Sequence, residues 1–304
     1  MSILINRSTR VVVQGITGKA GTFFTKDMIQ YGTKIVAGVT PGKGGATVEG
    51  VPVFDSVLDA VEKEAAEVSI LFIPATLARD SILEAIDAGM KLVIYLGENM
   101  PVHDMMVIKR KLREKSCRMI GPNTPGIISP GEAKIGFMPY FCYQKGPVGV
   151  VSRSGSLSYE VSYGLTRAGV GQSTAIGIGG DPVKGMDFVD ALGLFEQDCD
   201  TQAVVLIGEI GGTDEERAAE YIEGHIKKPV IAFIAGKYAP KNKKWDMRAP
   251  SSAVERGPST PRSMPSTGRG CGSRSFPSRY RSWLKRLSAC EILYHPIDRS
   301  AFWE

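Results

Sequence analysis

Long apolar runs are missing from this 304-residue chain. No stretch reaches the roughly 18–20 consecutive apolar residues that a membrane-crossing helix needs, which excludes a spanning segment. Cysteine is scarce: five residues, at 117, 142, 199, 271 and 290, are irregularly spaced and form no C-x-x-C pair. That spacing argues against a disulfide framework or a zinc site and suits a reducing compartment. The opening Met1-Ser2-Ile3-Leu4-Ile5-Asn6-Arg7 turns polar too soon for a secretory leader, so the cytoplasm is the expected setting. Histidine is rarer still, at 103, 225 and 295. His225, late in a helix and beside Lys227 and Lys228, reads as a favourable cation at a helix C-terminus, and none of the three is assigned a catalytic role.

A strong charge of one sign is also lacking from the folded part. The net +5 comes entirely from residues 240–304, which hold 13 Lys+Arg against 5 Asp+Glu; residues 1–239 carry 24 basic and 27 acidic groups. The basic excess therefore says nothing about nucleic-acid affinity of the folded part, and no nucleic-acid partner is expected.

What is present is a βα rhythm in a chain long enough for two domains of roughly 150 residues. Strands are expected at Val11–Gln14, Lys34–Val39, Val68–Ile73, Lys91–Leu96 and Cys117–Ile120, with helices after Gly21 and over Ala78–Ala88 and His103–Glu114. Near-continuous apolar strands separated by helices imply a parallel sheet covered on both faces, a Rossmann-like domain over 1–125. A Pro/Gly-rich connector, 126–146, follows. The rhythm restarts with strands Val148–Val151, Ser173–Ile178, Ala203–Ile207 and Val230–Ala235 and helices Leu157–Ala168, Asp187–Phe195 and Glu215–Ile226. This second α/β domain, 147–240, reads as flavodoxin-like and incomplete. Residues 241–304 read as an aberrant, basic, disordered tail; 7 of the 18 prolines lie from Pro240 onward.

Two helix starts carry anion-binding chemistry. Val11-Val12-Val13-Gln14-Gly15-Ile16-Thr17-Gly18-Lys19-Ala20-Gly21 is a strand, a glycine turn and a helix start, where free N–H groups face outward. Taken alone, it fits either a phosphate seat or a tight turn packing helix on strand. The next strand ends in Val39-Thr40 where a nicotinamide-binding domain usually has an Asp or Glu, and Thr40-Pro41-Gly42-Lys43-Gly44-Gly45 follows. A cationic glycine loop there suits a ligand with an additional phosphate, such as coenzyme A. The second start is Ser152-Arg153-Ser154-Gly155-Ser156-Leu157, and Ile207-Gly208-Glu209-Ile210-Gly211-Gly212 sets a carboxylate at the end of another strand.

Six segments together carry a resemblance. They are Gln14–Gly18, Val39–Gly45, Gly121-Pro122-Asn123-Thr124-Pro125-Gly126, Val151–Glu160, Gly177–Pro182 and Gly208–Gly212. Over about residues 1–241 the chain resembles the alpha subunits of the succinate–CoA ligase (succinyl-CoA synthetase) family. The resemblance implies a ligase that joins succinate to coenzyme A through a phosphohistidine, with a beta subunit that carries magnesium and ADP or GDP. It implies that Thr17, Gly18, Lys19 and Ala20 cradle coenzyme A phosphates, that Lys43 adds charge, and that Leu96, Gly97 and Glu98 line that ligand. It implies that Ser154, Gly155 and Ser156 hold phosphate, that Tyr159 lies near succinate, and that Glu209 orients the phosphohistidine. Related acetate– or malate–CoA ligases share these loops; the Ser154–Tyr159 segment favours succinate.

One family position departs. Where the family has Met-Gly-His-Ala-Gly-Ala, shortly after an Ala-Pro-Lys that stands here as Ala239-Pro240-Lys241, this chain reads Lys244-Trp245-Asp246-Met247-Arg248-Ala249-Pro250. Met247 occupies the place of the histidine, and a thioether is too weak an acceptor to form a stable phosphoramidate. Read literally, this describes a catalytically inactive, coenzyme A-binding subunit. The genetic code supplies a reason. Shifted to begin one base before the Trp245 codon, the permitted triplets RTG-GGA-YAT-GCG-NGC-NCC include Met-Gly-His-Ala-Gly-Ala. A one-base frameshift near Lys244 is therefore expected, and it accounts for the odd composition of the tail.

Overall fold

In a computed structural model of the chain, the structure describes residues 2–236. Two sheets form. The first has the order β3-β4-β2-β1-β5-β6-β7, comprising β1 (Val11–Gln14), β2 (Ile35–Val39), β3 (Thr47–Val48), β4 (Val51–Phe54), β5 (Val68–Leu71), β6 (Leu92–Tyr95) and β7 (Arg118–Ile120). All its pairings are parallel except β3 with β4. Without β3, the six parallel strands take the Rossmann order 3-2-1-4-5-6. Every residue of β1, β5 and β6 is buried, as strands covered on both faces require. The one polar side chain in β1, Gln14, is satisfied by donating to Ser69 Oγ at 2.9 Å.

The second sheet runs β13-β12-β10-β11-β8-β9. Its parallel part is β10 (Lys145–Ser152), β11 (Gln172–Gly177), β12 (Ala203–Glu209) and β13 (Val230–Ala235), in the flavodoxin-like order 2-1-3-4. The segment 126–146, expected as a connector, contributes β8 (Gly126–Ser129) and β9 (Ala133–Gly136). These form an antiparallel hairpin, and β8 pairs with β11 through Ile127↔Ile176 and Ile128↔Ala175. The physical reason is burial: Ile127, Ile128, Ala133 and Ile135 are at most 1% exposed, so these short strands extend the second sheet.

Between Val39 and Val68, where sequence reading assigns no element, the structure adds β3, β4 and helix α2 (Val57–Glu64), whose Ser56 cap accepts from the Asp59 N–H. The other helices are α1 (Lys19–Tyr31), α3 (Ala75–Asp87), α4 (Val102–Lys115), α5 (Gly155–Arg167), α6 (Phe188–Gln197) and α7 (Asp214–His225). Their starts differ by up to three residues from the sequence expectation.

The two sheets share one hydrophobic cluster, which includes Val11, Val13 and Ile70 of the first and Ile127, Ile135, Val151 and Leu206 of the second. Helix α1 is bound to both. Lys134 of β9, with its side chain 2% exposed, forms an ion pair with Asp27. The Lys134 backbone N–H donates to the Thr33 hydroxyl at 3.0 Å, which in turn donates to the Lys134 carbonyl at 2.7 Å. Gly131 donates its N–H to the Tyr31 hydroxyl at 3.0 Å. Among the described residues, no helix is long and apolar enough to cross a membrane.

Candidate ligand seats at two sheet edges

Parallel strands end on a common edge, and a ligand crevice forms where successive connections leave a central strand in opposite directions. In the first sheet that strand is β1, flanked by β2 and β5. The turn after β1 lies so near the turn after β5 that a Cβ on Gly15 would stand 2.7 Å from the Phe72 carbonyl oxygen. Gly15 also has φ +77°, a left-handed conformation that glycine adopts without strain. A Cβ on Gly21 would overlap the Gly15 carbonyl, so α1 sits directly on the turn.

Gly18 caps α1 in extended conformation with no side-chain hydrogen bond to the first turn. The N–H groups at the start of α1 are thus free of any side-chain cap and carry the positive end of the helix dipole. Thr17, Gly18, Lys19 and Ala20 are all exposed there. The Thr17 hydroxyl meets that of Thr40 at 3.2 Å, which ties the turn to the exposed Lys43 loop after β2. Gly44 and Gly45 close that loop through N–H bonds to Asp55 Oδ1 (2.9 Å) and the Val53 carbonyl (3.0 Å). Leu96, buried, Gly97, half-buried, and Glu98, exposed, follow β6 on the same edge. The expected residues of the first group therefore lie along one sheet edge.

The second sheet repeats the arrangement around β10, flanked by β11 and β12. Helix α5 begins at Gly155 with Ser154 as an extended cap that makes no side-chain bond to the helix. The start is shaped by the preceding strand: Ser152 Oγ donates to the Ser154 carbonyl at 2.7 Å and accepts the Ser154 N–H at 3.0 Å. Ser154 is buried, Gly155 half-buried and Ser156 exposed. Tyr159, one turn on, packs with the cluster holding Cys142 and Tyr143; burial first and Cys142 second push its phenol up to about 12. Helices α3, α4 and α7 likewise lack a side-chain cap, so what sets α1 and α5 apart is that each follows the central strand of its sheet. Helix α6 carries a capping box from Asp187 and Asp190, and Asp214, Glu215 and Glu216 fill the first turn of α7.

Glu209 ends β12 beside this helix start. Two residues overlooked in the sequence grip its backbone. Arg153 Nη1 donates to the Glu209 carbonyl at 3.2 Å and the Gly211 carbonyl at 2.8 Å, and pairs with Glu215 at 2.9 Å. Glu215 Oε1 accepts the Glu209 N–H at 3.1 Å. The Arg153 and Glu215 side chains are only 10% and 7% exposed. Among the described residues, no donor reaches the Glu209 carboxylate. A lone Arg in a serine loop and an acid six residues after Glu209 gave no sequence signal, since their partnership spans 62 positions. The Met247 position lies outside the described residues. No group of three or more His, Cys, Asp or Glu that could hold a metal ion occurs among the described residues.

Comparison with known proteins follows the same division. Residues 6–98 match the CoA binding domain family and residues 151–251 the CoA-ligase family. The alpha subunit of ADP-forming succinate–CoA ligase from Aquifex aeolicus is 54% identical over 246 residues, 80% of this chain and 81% of that protein. The Staphylococcus aureus alpha subunit is 55% identical over 244 residues, again 80% and 81%. This chain belongs to the succinate–CoA ligase alpha-subunit family. It is by family a ligase with a coenzyme A-binding domain, as its motifs implied. Among solved structures, ATP citrate lyase from Methanothrix soehngenii in complex with citrate and coenzyme A superposes with a TM-score of 0.72 at 24% identity. That likeness covers 80% of this chain and 44% of the lyase, and it shows a common fold. The dinucleotide-forming acetyl-coenzyme A synthetase 1 of Ca. Korarchaeum cryptofilum gives 0.64 at 20% identity, covering 77% and 51%.

Proposed function

We propose that this chain is the coenzyme A- and phosphate-binding subunit of a succinate–CoA ligase. With a beta subunit in an αβ or α2β2 assembly, it interconverts succinyl-CoA, phosphate and a nucleoside diphosphate with succinate, coenzyme A and the triphosphate. The single observation that carries the reading is the pair of glycine- and serine-built helix starts that follow the central strands β1 and β10, in a chain more than half identical to such subunits. A helix start whose Thr17, Gly18, Lys19 and Ala20 are all exposed fits a phosphate approaching the backbone closely.

Thr17, Gly18, Lys19 and Ala20 hold the coenzyme A phosphates, Lys43 adds charge, and Leu96, Gly97 and Glu98 line the ligand. Coenzyme A supplies a thiol that carries the acyl group as a reactive ester. Ser154, Gly155 and Ser156 hold inorganic phosphate through N–H groups and hydroxyls, beside succinate and Tyr159. Glu209 accepts the second ring N–H of the family histidine, which fixes its tautomer. The beta subunit holds magnesium and ADP or GDP; the relatives' names carry ADP. Unpaired cysteines, Cys117 and Cys142 among them buried, suit the cytoplasm.

Met247 favours a second reading for the chain as it stands: coenzyme A binding without phosphoryl transfer. A frame restored near Lys244 reinstates the histidine. The test mixes each form with its beta subunit and γ-labelled ATP. The restored chain is expected to take up acid-labile label and the Met247 chain none. Label on the Met247 chain would sink the account of its inactivity, and the absence of label on both would sink the phosphohistidine reading.

A further inference from the structure

The two edges meet at one short segment. Asn123, at φ +58°, donates its backbone N–H to the Gly97 carbonyl at 2.8 Å and its side-chain amide to Asp181 Oδ1 at 3.1 Å. Gly97 belongs to the loop after β6 on the first edge; Asp181 belongs to the loop after β11 on the second. The neighbouring residues extend the joint. Thr124 donates its hydroxyl to the Gly177 carbonyl. The Pro125 ring lies 3.8–3.9 Å from where a Cβ on Gly155 would stand, at the start of α5. Three consecutive residues therefore touch the loop lining the first seat, the loop after β11 and the helix start of the second seat.

The joint is dry. Asp181 is 5% exposed and Tyr95 is fully buried. Burial first and the Asp181 charge second push the Tyr95 phenol up to about 12, and a Cβ on Gly97 would collide with the Tyr95 hydroxyl. A buried carboxylate carries a large desolvation cost, and an apolar pair of similar size would pack a domain contact at least as well. What an amide–carboxylate bond adds is direction.

We propose that Asn123 and Asp181 are positioning residues that fix the loop after β6 against the start of α5, so that a thioester on the first seat and phosphate on the second stand at reacting distance. This rests on the reading of both edges as ligand seats.

The test uses the full chain with its beta subunit, succinyl-CoA, and arsenate in place of phosphate, a step that needs no histidine. An arsenate oxygen attacks the thioester carbonyl carbon and the C–S bond breaks. The thiolate takes a proton and leaves as free thiol, which a thiol reagent counts. Water then splits the succinyl arsenate into succinate and arsenate. In Asn123→Asp two carboxylates face each other and the joint opens. A misplacement of about 1 Å costs about 100-fold, so N123D is expected to lose that much kcat while KM for succinyl-CoA changes less than about threefold. The swapped pair N123D/D181N restores an amide facing a carboxylate and is expected to recover most of the loss.

N123D with undiminished kcat, or a swap as slow as N123D at unchanged thermal stability, overturns the proposal. Hydrogen exchange gives a second measurement without turnover. Coenzyme A alone should slow the amides of residues 177–181 in the unaltered chain and the swap but not in N123D, and equal slowing in all three overturns the proposal. An unaltered complex that takes up no coenzyme A in calorimetry overturns the proposed function itself, and this inference with it.

Discussion

The helix starts of α1 and α5 occupy equivalent places in their sheets but are built from different chemistry. The first is glycine, with exposed lysines at 19 and 43 and a backbone open to solvent. The second is serine, and its nearest cation, Arg153, is buried and neutralised by Glu215. The lysines offer charge to whatever arrives, which suits a large polyphosphate docking from solvent. Arg153 instead spends its donors on the carbonyls of Glu209 and Gly211, so the anion seat proposed at α5 would rely on N–H groups and hydroxyls. In the proposed reading, charge serves binding at one edge and geometry at the other.

Breaking the second arrangement should cost most. Arg153→Met leaves Glu215 buried and unpaired, and loss of one partner of such a pair costs about 3–5 kcal/mol. Denaturant unfolding of the variant measures this, and a loss under about 1 kcal/mol would show the pair to be peripheral. Gly21→Ala tests the first arrangement. The added methyl forces α1 away from the Gly15 turn at a cost of about 1–3 kcal/mol. Coenzyme A affinity by calorimetry should fall as the turn shifts, with phosphate affinity unchanged.

The smallest effect concerns pH. Burial alone would raise the Asp214 carboxyl, but the hydrogen bond from Lys184, followed by the charges of Lys184, Arg153 and Arg217, holds it below its ordinary 3.8. A depressed carboxyl stabilises the fold above its unfolded value and loses that contribution as pH falls through the folded one. Asp214→Asn should therefore lower stability at neutral pH and flatten its decline below pH 3.8. Acid titrations of the two proteins that run parallel would refute this.

The parallel strands were legible because all-apolar runs such as Val11–Val13 and Ile70–Leu71 have no other home, and β13 was read to the residue. The glycine and serine helix starts were legible because a tight turn from strand to helix needs small residues at fixed offsets. Strand β4 escaped because Pro52 interrupts four residues alternating between buried and exposed. The β8–β9 hairpin escaped because Gly126, Gly131 and Pro130 look like linker text, while the burial that makes Ile127 and Ile135 strand residues comes from β11 and α1. Arg153–Glu215 and Asn123–Asp181 join positions 62 and 58 apart, and no local pattern encodes such pairs.

The Lys134–Asp27 pin has a consequence for spacing. Helix α1 follows β1 in the chain yet is stapled to the hairpin of the other sheet, so the edges cannot swing apart without exposing a buried cation. The spacing of the two edges is therefore set by a buried ion pair rather than left to the approach of a ligand.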